Sequence, residues 1–189
     1  MSLPPTNSGR PHRVVLAAVA LALASIAPAG AMTLDDLKGY SIELDSVYHL
    51  EWRNSRSFNA QFHRKLYIGQ SGRIFDYADV TTRGYARQER GVVAPGGAMD
   101  IGPDRMLAWT FEQGHLLGIS HENQGFVVRQ LTVDPSRTAC SVAVILHPDP
   151  ATGKVMLTKR NNTVDELVAI PLISQTCTVT KGNIFATDQ

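Results

Sequence analysis

Two histidines and a glutamate in one predicted strand are the residue types best suited to binding a metal ion. His115 and His121 are six positions apart, so they share one strand face, while Glu122 lies on the other. At a rise of about 3.3 Å per residue the two imidazoles are about 20 Å apart, too far to bind one ion. We therefore predict no metal ion and no other cofactor, and interpret these side chains as strand residues near turns.

The segment Gly118-Ile119-Ser120-His121 comes closest to the nucleophile motif of a serine hydrolase. That motif needs a second glycine and a strand-to-helix turn, and neither is present here. The acidic pairs Asp35-Asp36 and Asp165-Glu166 are typical of a helix start and a solvated turn. Gly96-Gly97 is not followed by the Lys and Ser/Thr of a phosphate-binding loop. The sequence therefore favours a protein that is not an enzyme.

The chain has two cysteines, Cys140 and Cys177. Neither belongs to a Cys-x-x-Cys or Cys-x-x-His motif, which would indicate a redox or metal site. In an exported protein, two cysteines most simply form one structural disulfide. We predict a Cys140–Cys177 disulfide.

Aromatic side chains are the candidate ligand-binding residues, because predicted strands would carry them to the inside of a barrel. There they would either fill a packed core or line an apolar cavity with a few polar groups at its mouth. The residues of this candidate cavity are Tyr48, Trp52, Phe62, Phe75, Trp109, Phe111 and Phe126.

The first 31 residues have the organisation of a cleavable signal peptide. Arg10 and Arg13 give a positive start, an apolar run follows over residues 14–27, and small residues at 28–31 predict cleavage after Ala31. A retained anchor is the alternative, but a membrane span needs about 20 apolar residues. We predict a periplasmic or secreted protein with no stable membrane anchor after cleavage.

The remaining residues, 32–189, are predicted to form a single β-rich domain. From Ser41 to Trp52 the even positions are mostly apolar and the odd ones mostly polar, and the alternation returns from Phe58 to Ile68. A two-residue period buries one strand face and exposes the other. Further strands, separated by turns such as Gln113-Gly114, are predicted at 73–77, 106–112, 115–122, 126–133, 138–147, 154–159 and 168–180.

Short strands with turns at roughly ten-residue spacing predict an all-β antiparallel meander that closes into a lipocalin-like barrel. The alternative is a two-sheet β-sandwich. A short N-terminal helix is predicted over residues 33–39, with Thr33 as its cap. Glycine and proline are frequent in residues 78–104, which are expected to form a long surface loop around one short strand. Four arginines are expected to be solvated there: Arg83, Arg87, Arg90 and Arg105.

The predicted mature chain is almost neutral, because two of the 18 Lys and Arg residues lie in the signal peptide, which leaves 16 against 17 Asp and Glu. Nucleic acids are bound through clustered positive charge. Nucleic acid is therefore not expected as a partner.

Three short motifs and the upstream Cys140 carry a family resemblance. The motifs are LKGYSI at 37–42, LYIGQSGRIF at 66–75 and CTVTKGNIF at 177–185. With them the chain resembles a family of small exported, β-rich proteins of alphaproteobacteria with no known function. The resemblance implies an exported β-rich domain and brings no catalytic residues.

These features predict a non-enzymatic binding protein of the cell envelope or of the secreted fraction. Its expected partner is a small apolar ligand or an envelope protein. The alternative is a structural or inhibitor-type interaction protein that acts through surface loops. An uncharacterised hydrolase-like enzyme is the third hypothesis.

Overall fold

A computed structural model describes residues 32–82, 85–102, 105–122, 125–148, 153, 157–160 and 163–188. Within these ranges only the backbone is described at 85, 121–122, 125, 157–160, 163–164 and 187–188. The predicted signal peptide, residues 1–31, and Arg83 lie outside the described residues. All described residues belong to one compact unit, and none of the helices among them is long and apolar enough to cross a bilayer.

The predicted all-β class is confirmed, because strands account for most of the described chain. In chain order the strands are β1 (Tyr40–Trp52), β2 (Phe58–Ile68), β3 (Ile74–Thr82), β4 (Tyr85–Val93), β5 (Ala98–Gly102), β6 (Arg105–Glu112), β7 (His115–Glu122), β8 (Gly125–Val133), β9 (Cys140–Pro148), β10 (Leu157–Arg160), β11 (Thr163–Ala169) and β12 (Leu172–Lys181).

The strands form two antiparallel sheets. The first has seven strands in the order β10–β11–β1–β2–β3–β4, with β12 also paired to β1, and it curls into a half-barrel. The second has five strands in the order β5–β6–β7–β8–β9. Eight of the ten neighbouring pairs are consecutive in the chain, as in a meander, and the exceptions are β11 and β12, which return to pair with β1.

The predicted alternation of β1 and β2 sets the inward face of the first sheet. Ile42, Leu44, Tyr48 and Leu50 are buried, and the even positions of β1 lie opposite even positions of β2, as in the pair Ile42↔Leu66. Because a one-residue slip would turn every apolar side chain outward, this pattern specifies the register.

The disulfide prediction is also confirmed, and the bond joins the two sheets. Cys140, at the start of β9, is bonded to Cys177 in β12, with the two Cα atoms 5.0 Å apart. Beside it, Ala139 and Thr178 form an isolated antiparallel bridge, and the Val142 amide donates to the Gln175 side-chain oxygen. One margin of the first sheet is thus tied to one margin of the second.

The predicted N-terminal helix is wrong in kind. The chain forms only a 3-10 turn over Asp35–Leu37, and Gly39, with φ of 79°, leads directly into β1. The predicted cap by Thr33 is not formed, since the turn has no side-chain cap; instead the Asp36 carboxylate accepts from the Thr33 amide and hydroxyl at 2.9 and 2.8 Å. Those two hydrogen bonds hold the pKa of Asp36 below its ordinary value. The turn buries Leu37 against the core.

The predicted long loop over residues 78–104 is also wrong. Strand β3 continues to Thr82, and two more strands, β4 and β5, follow within this segment. The alternation of β4 was hidden from the sequence because its inward positions include the charged Arg87 and Glu89, which occupy places where an apolar residue is expected.

Candidate functional site

The interior between the two sheets is layered, with polar side chains between two apolar clusters. On β1 the inward residues run from Leu44 of the larger apolar cluster through Ser46 to Tyr48 of the smaller one. On β2 the buried Arg64 lies between Leu66 and Phe62 in the same way. We call the buried layer formed by Ser46, Arg64, Asp76, Glu89 and Ser120 the polar layer.

Arg64 is the centre of the polar layer. Its Nη1 donates to Asp76 Oδ2 at 2.7 Å and its Nη2 to Glu89 Oε2 at 2.8 Å. The indole nitrogen of Trp109, from the second sheet, donates to the same Asp76 oxygen at 2.6 Å. Glu89 also lies 2.7 Å from an Arg87 nitrogen. These contacts connect β2, β3, β4 and β6 through charged hydrogen bonds, which are stronger than neutral ones.

The two buried carboxyl groups of the polar layer have pKa values shifted in opposite directions. Loss of solvation raises the pKa of Asp76 in spite of Arg64 and Trp109, and its other oxygen, Oδ1, is buried with no hydrogen-bond partner among the described residues. At Glu89 burial also opposes ionisation, but Arg64 and Arg87 outweigh it and lower the pKa. The polar layer is therefore a buried ion cluster in which the pKa of one carboxyl group is raised and that of the other is lowered.

A small cavity of about 20 Å³ lies where the polar layer meets the smaller apolar cluster. Its polar lining is Ser46, Tyr48, Arg64 and Arg129, and burial raises the pKa of the Tyr48 hydroxyl. A volume of about 10–15 Å³ is enough for one water molecule. This part of the interior has room for a water molecule and not for an apolar ligand.

A much larger concave site lies on the outer face of β2, β3 and β4. This groove has a volume of about 680 Å³, within the range of about 300–1,000 Å³ typical of small-molecule sites. Its lining is His63, Lys65, Phe75, Asp76, Tyr77, Asp79, Arg90, Gly91, Val92, Asn183 and Phe185. We call it the outer groove.

The strand register arranges the floor of the outer groove in three rows. Each row crosses β2, β3 and β4, since directly paired residues of neighbouring strands project on the same side. The apolar row is Tyr67–Phe75–Val92, the cationic row is Lys65–Tyr77–Arg90, and the third row is His63–Asp79–Gln88.

The C-terminal segment forms one wall of the outer groove. After β12 the chain makes a 3-10 turn over Ile184–Asp188, which brings Phe185 to the groove. Ser41 holds this turn in place: its hydroxyl donates to the Gly182 carbonyl at 2.7 Å and accepts from the Ile184 amide at 3.0 Å. The buried Ser41 therefore couples the start of β1 to the groove wall.

Hydrogen bonds orient the polar side chains of the outer groove. The Tyr77 hydroxyl donates to Asp79 at 2.7 Å, and this bond lowers the pKa of Asp79. The Arg90 guanidinium lies 4.6 Å from the centre of the Tyr77 ring and donates to Gln88 at 2.9 Å. Arg90 is thus held over the Tyr77 ring by a cation–π contact. His63 is oriented separately, by its contact with Asp45 at 2.6 Å.

The structure separates the aromatic residues of the predicted cavity into three places. Tyr48 and Phe62 pack edge to face with centroids 5.6 Å apart, and Trp52 packs near them in the smaller apolar cluster. Trp109 and Phe111 belong to the larger cluster.

The last two aromatic residues of that predicted cavity are not interior residues. Phe75 and Phe126 are each 37% exposed. Phe75 occupies an outward position of β3 because the inward ones are Ile74 and Asp76, and it lines the outer groove instead.

His115, His121 and Glu122 were the candidate metal ligands of the sequence, for which no metal ion was predicted. His115 contacts the Thr132 hydroxyl at 2.9 Å, whereas the side chains of the other two lie outside the described residues. Within the described part of the chain no cluster of three His, Cys, Asp or Glu side chains is arranged to hold a metal ion.

The expectation that the four arginines are solvated in a loop is wrong for Arg87 and Arg105. Both lie on strands and approach Glu89, at 2.7 and 3.6 Å. Arg90 lies on the outer face in the groove, and Arg83 is outside the described residues.

The sequence patterns missed the polar layer and the outer groove. A signal for the first was present: Arg64 occupies an even position between Phe62 and Leu66, where the alternation demands an apolar side chain. The groove had no comparable signal, since its rows depend on the pairing of three strands. Comparison with protein-family models, with curated proteins and with solved structures found no match to the chain.

Proposed function

We propose that this is a non-enzymatic binding protein that takes a small ligand with an apolar body in its outer groove. The observation that carries the proposal is the groove itself, a concave site of about 680 Å³ in which Phe75, Val92 and Phe185 lie beside polar side chains. A concave site of this volume that offers both apolar surface and polar groups to fix an orientation can take a small molecule.

The outer groove is the better site for such a ligand than the interior. The cavity beside Arg64, of about 20 Å³, would have to expand many times, against a close-packed core and the charged contacts of Arg64. The concave space that Trp109 and Phe111 line has about 410 Å³ and is smaller than the outer groove. Exposed apolar side chains such as Val92, in contrast, leave water on ligand binding, which is favourable.

We also propose that the protein works outside the cytoplasm, as a periplasmic or secreted protein. The Cys140–Cys177 disulfide indicates an oxidising compartment, and the signal-peptide pattern of residues 1–31 agrees with export. Membership of the family of exported alphaproteobacterial proteins is part of this proposal.

We also propose that the two sheets close into a lipocalin-like barrel. It is supported at the margin between β9 and β12 by the disulfide, by the Ala139–Thr178 bridge and by the Val142–Gln175 hydrogen bond. Closure would remove sheet edges that otherwise invite aggregation.

An interaction protein that acts on a protein partner is the second candidate. It is favoured by large aliphatic side chains exposed on β9, β11 and β12, which are Ile145, Val168, Leu172 and Ile173. Exposed apolar surface of this kind is typical of protein contacts when it is contiguous.

The proposed function is tested with a neutral apolar fluorescent probe, N-phenylnaphthylamine, titrated into residues 32–189 with the disulfide formed. We expect saturable binding, weakened at least about tenfold by Val92→Glu, because a carboxylate in the apolar row must be desolvated. Val168→Glu is the matched control: Val168 is 44% exposed against 48% for Val92 and lies outside the groove lining. Equal loss in both variants, or no saturable binding, would overturn the proposal.

A further inference from the structure

We infer that the ligand of the outer groove carries one anionic group at one end, so that the ligand class is an amphipathic monoanion such as a medium-chain carboxylate. This inference rests on the proposed function and adds the chemistry of the ligand head group. It follows from the order of the rows on the groove floor, where a row with two cations lies directly beside the apolar row.

The two cations flank Tyr77 on neighbouring strands. Lys65 pairs with Tyr77 across β2 and β3, and Tyr77 pairs with Arg90 across β3 and β4. Strands are about 4.8 Å apart, so the two backbone positions are about 10 Å apart. Both long side chains can therefore reach one carboxylate bound between them, on the side of the apolar row.

Arg90 is oriented without a direct ion pair to a described carboxylate, although its charge helps to lower the pKa of the nearby Asp79. Its guanidinium is stacked on Tyr77 and bonded to the neutral Gln88 amide oxygen, and it forms no ion pair with a carboxylate among the described residues. Stacking leaves the edge of a guanidinium open, and this edge binds carboxylates through two parallel hydrogen bonds.

Lys65 also keeps donors for a ligand. Its nearest carboxylate oxygen, on Glu43, lies at 3.8 Å, longer than a hydrogen bond. His63, in contrast, already contacts Asp45 at 2.6 Å. Two acids line the groove, and Asp76 turns its carboxylate inward to Arg64. Asp79 accepts from the Tyr77 hydroxyl and belongs to the third row, on the side away from the apolar row.

The row spacing also orients the ligand. Successive outward rows are two residues apart along a strand, which is about 7 Å. A carboxylate on the Lys65–Arg90 row therefore places the adjoining carbon chain over Phe75 and Val92, toward Phe185. An anion without an apolar body would leave these contacts unused, and a cation would meet Lys65 and Arg90.

The test is displacement of N-phenylnaphthylamine by dodecanoate, dodecanol and dodecylamine, each below its micelle concentration. The wild-type chain is expected to bind dodecanoate about tenfold more tightly than dodecanol, and dodecylamine most weakly, because one charge-assisted contact is worth about that factor. Arg90→Gln and Lys65→Gln are each expected to reduce this preference while dodecanol binding stays unchanged. Arg56→Gln is the matched control, since Arg56 is exposed in the turn between β1 and β2.

The possible results distinguish a ligand without an anionic head group from a groove that binds no ligand. Equal binding of dodecanoate and dodecanol by the wild-type chain would overturn the anionic head group and leave the proposed function standing. A preference that survives in both groove variants, or that Arg56→Gln also removes, would overturn the role of the cationic row. If none of the three compounds displaces the probe, the proposed function fails and the inference falls with it.

Discussion

Arg64 and Asp76 form an ion pair of 2.7 Å inside the protein, with side chains that are 3% and 0% exposed. The two residues lie on neighbouring strands but not directly opposite, since Arg64 pairs with Ala78 and Asp76 with Leu66. The diagonal arrangement lets the guanidinium reach Glu89 on β4 as well. Arg64 thus joins three neighbouring strands of the first sheet inside the protein.

Removing the buried Arg64 side chain should destabilise the fold far more than removing an arginine that is exposed to solvent. Arg64→Ala leaves Asp76 and Glu89 buried without their common partner, and breaking a buried pair costs about 3–5 kcal/mol. We expect a loss of this size in the free energy of unfolding measured with urea. Arg56→Ala, at an exposed position, should change it by less than about 0.5 kcal/mol. Similar values for the two variants would show that the ion cluster does not stabilise the fold.

Gly118 should not tolerate even one methyl group. A Cβ atom built there would lie 2.7 to 3.0 Å from three ring carbons of Trp109, whose ring is buried and held by its hydrogen bond to Asp76. Gly118→Ala is expected to cost about 1–3 kcal/mol through overpacking. In a Trp109→Leu background the same substitution should cost at least about 1 kcal/mol less. An unchanged cost in that background would mean that the Trp109 ring is not the obstacle.

The disulfide should contribute substantially to stability because it joins the margins of the two sheets. Its sequence separation is 37 residues, for which the loop-entropy relation gives about 4 kcal/mol. The double variant Cys140→Ser/Cys177→Ser should lose about this amount in urea unfolding, and the reduced wild-type chain should behave like it. A reduced wild-type chain as stable as the oxidised one would contradict this.

Asp134 should make the turn before β9 sensitive to acid. Its carboxylate accepts from the Ser136 hydroxyl and from the Ala139 and Thr138 amides, and these bonds lower its pKa from 3.8 to about 2. Because the folded pKa is depressed, the stabilisation is fully present above pH 3.8 and is lost as the pH falls through about 2.

The variant Asp134→Ala tests this expectation, and its thermal unfolding is compared with that of the wild-type chain across this pH range. Its midpoint should lie below that of the wild-type chain at neutral pH, and the difference should shrink as the pH approaches the folded pKa of about 2. A difference that is constant with pH would assign the effect to the shape of the side chain and not to its charge.

The sequence was sufficient for the parts of the fold that obey alternation. The even-numbered apolar positions of β1 and β2 predicted their inward faces, and Gln113-Gly114 predicted the β6–β7 hairpin, where both residues have positive φ. The disulfide followed from the count of cysteines. These features are local, or depend on composition alone.

The sequence was insufficient where a charged residue occupies an inward strand position and its stabilising partner lies far away in the chain. The glycines and prolines of residues 78–104 predicted a loop there, and the charged Arg87 and Glu89 hid the alternation of β4. The guanidinium of Arg64 that makes Glu89 tolerable in the interior lies 25 residues away. The outer groove was not predicted for a related reason: Phe75, Arg90 and Phe185 are brought together only by strand pairing and the C-terminal turn.

An amide NMR titration of residues 32–189 with dodecanoate would show whether the ligand binds on the outer face of β2–β4 or between the sheets. We expect shift changes concentrated at residues 75–79, 90–92 and 183–185, which line or flank the outer groove. Changes concentrated instead at Tyr48, Phe62, Val144 and Ile170, around the interior cavity, would contradict this expectation and place the ligand inside the protein.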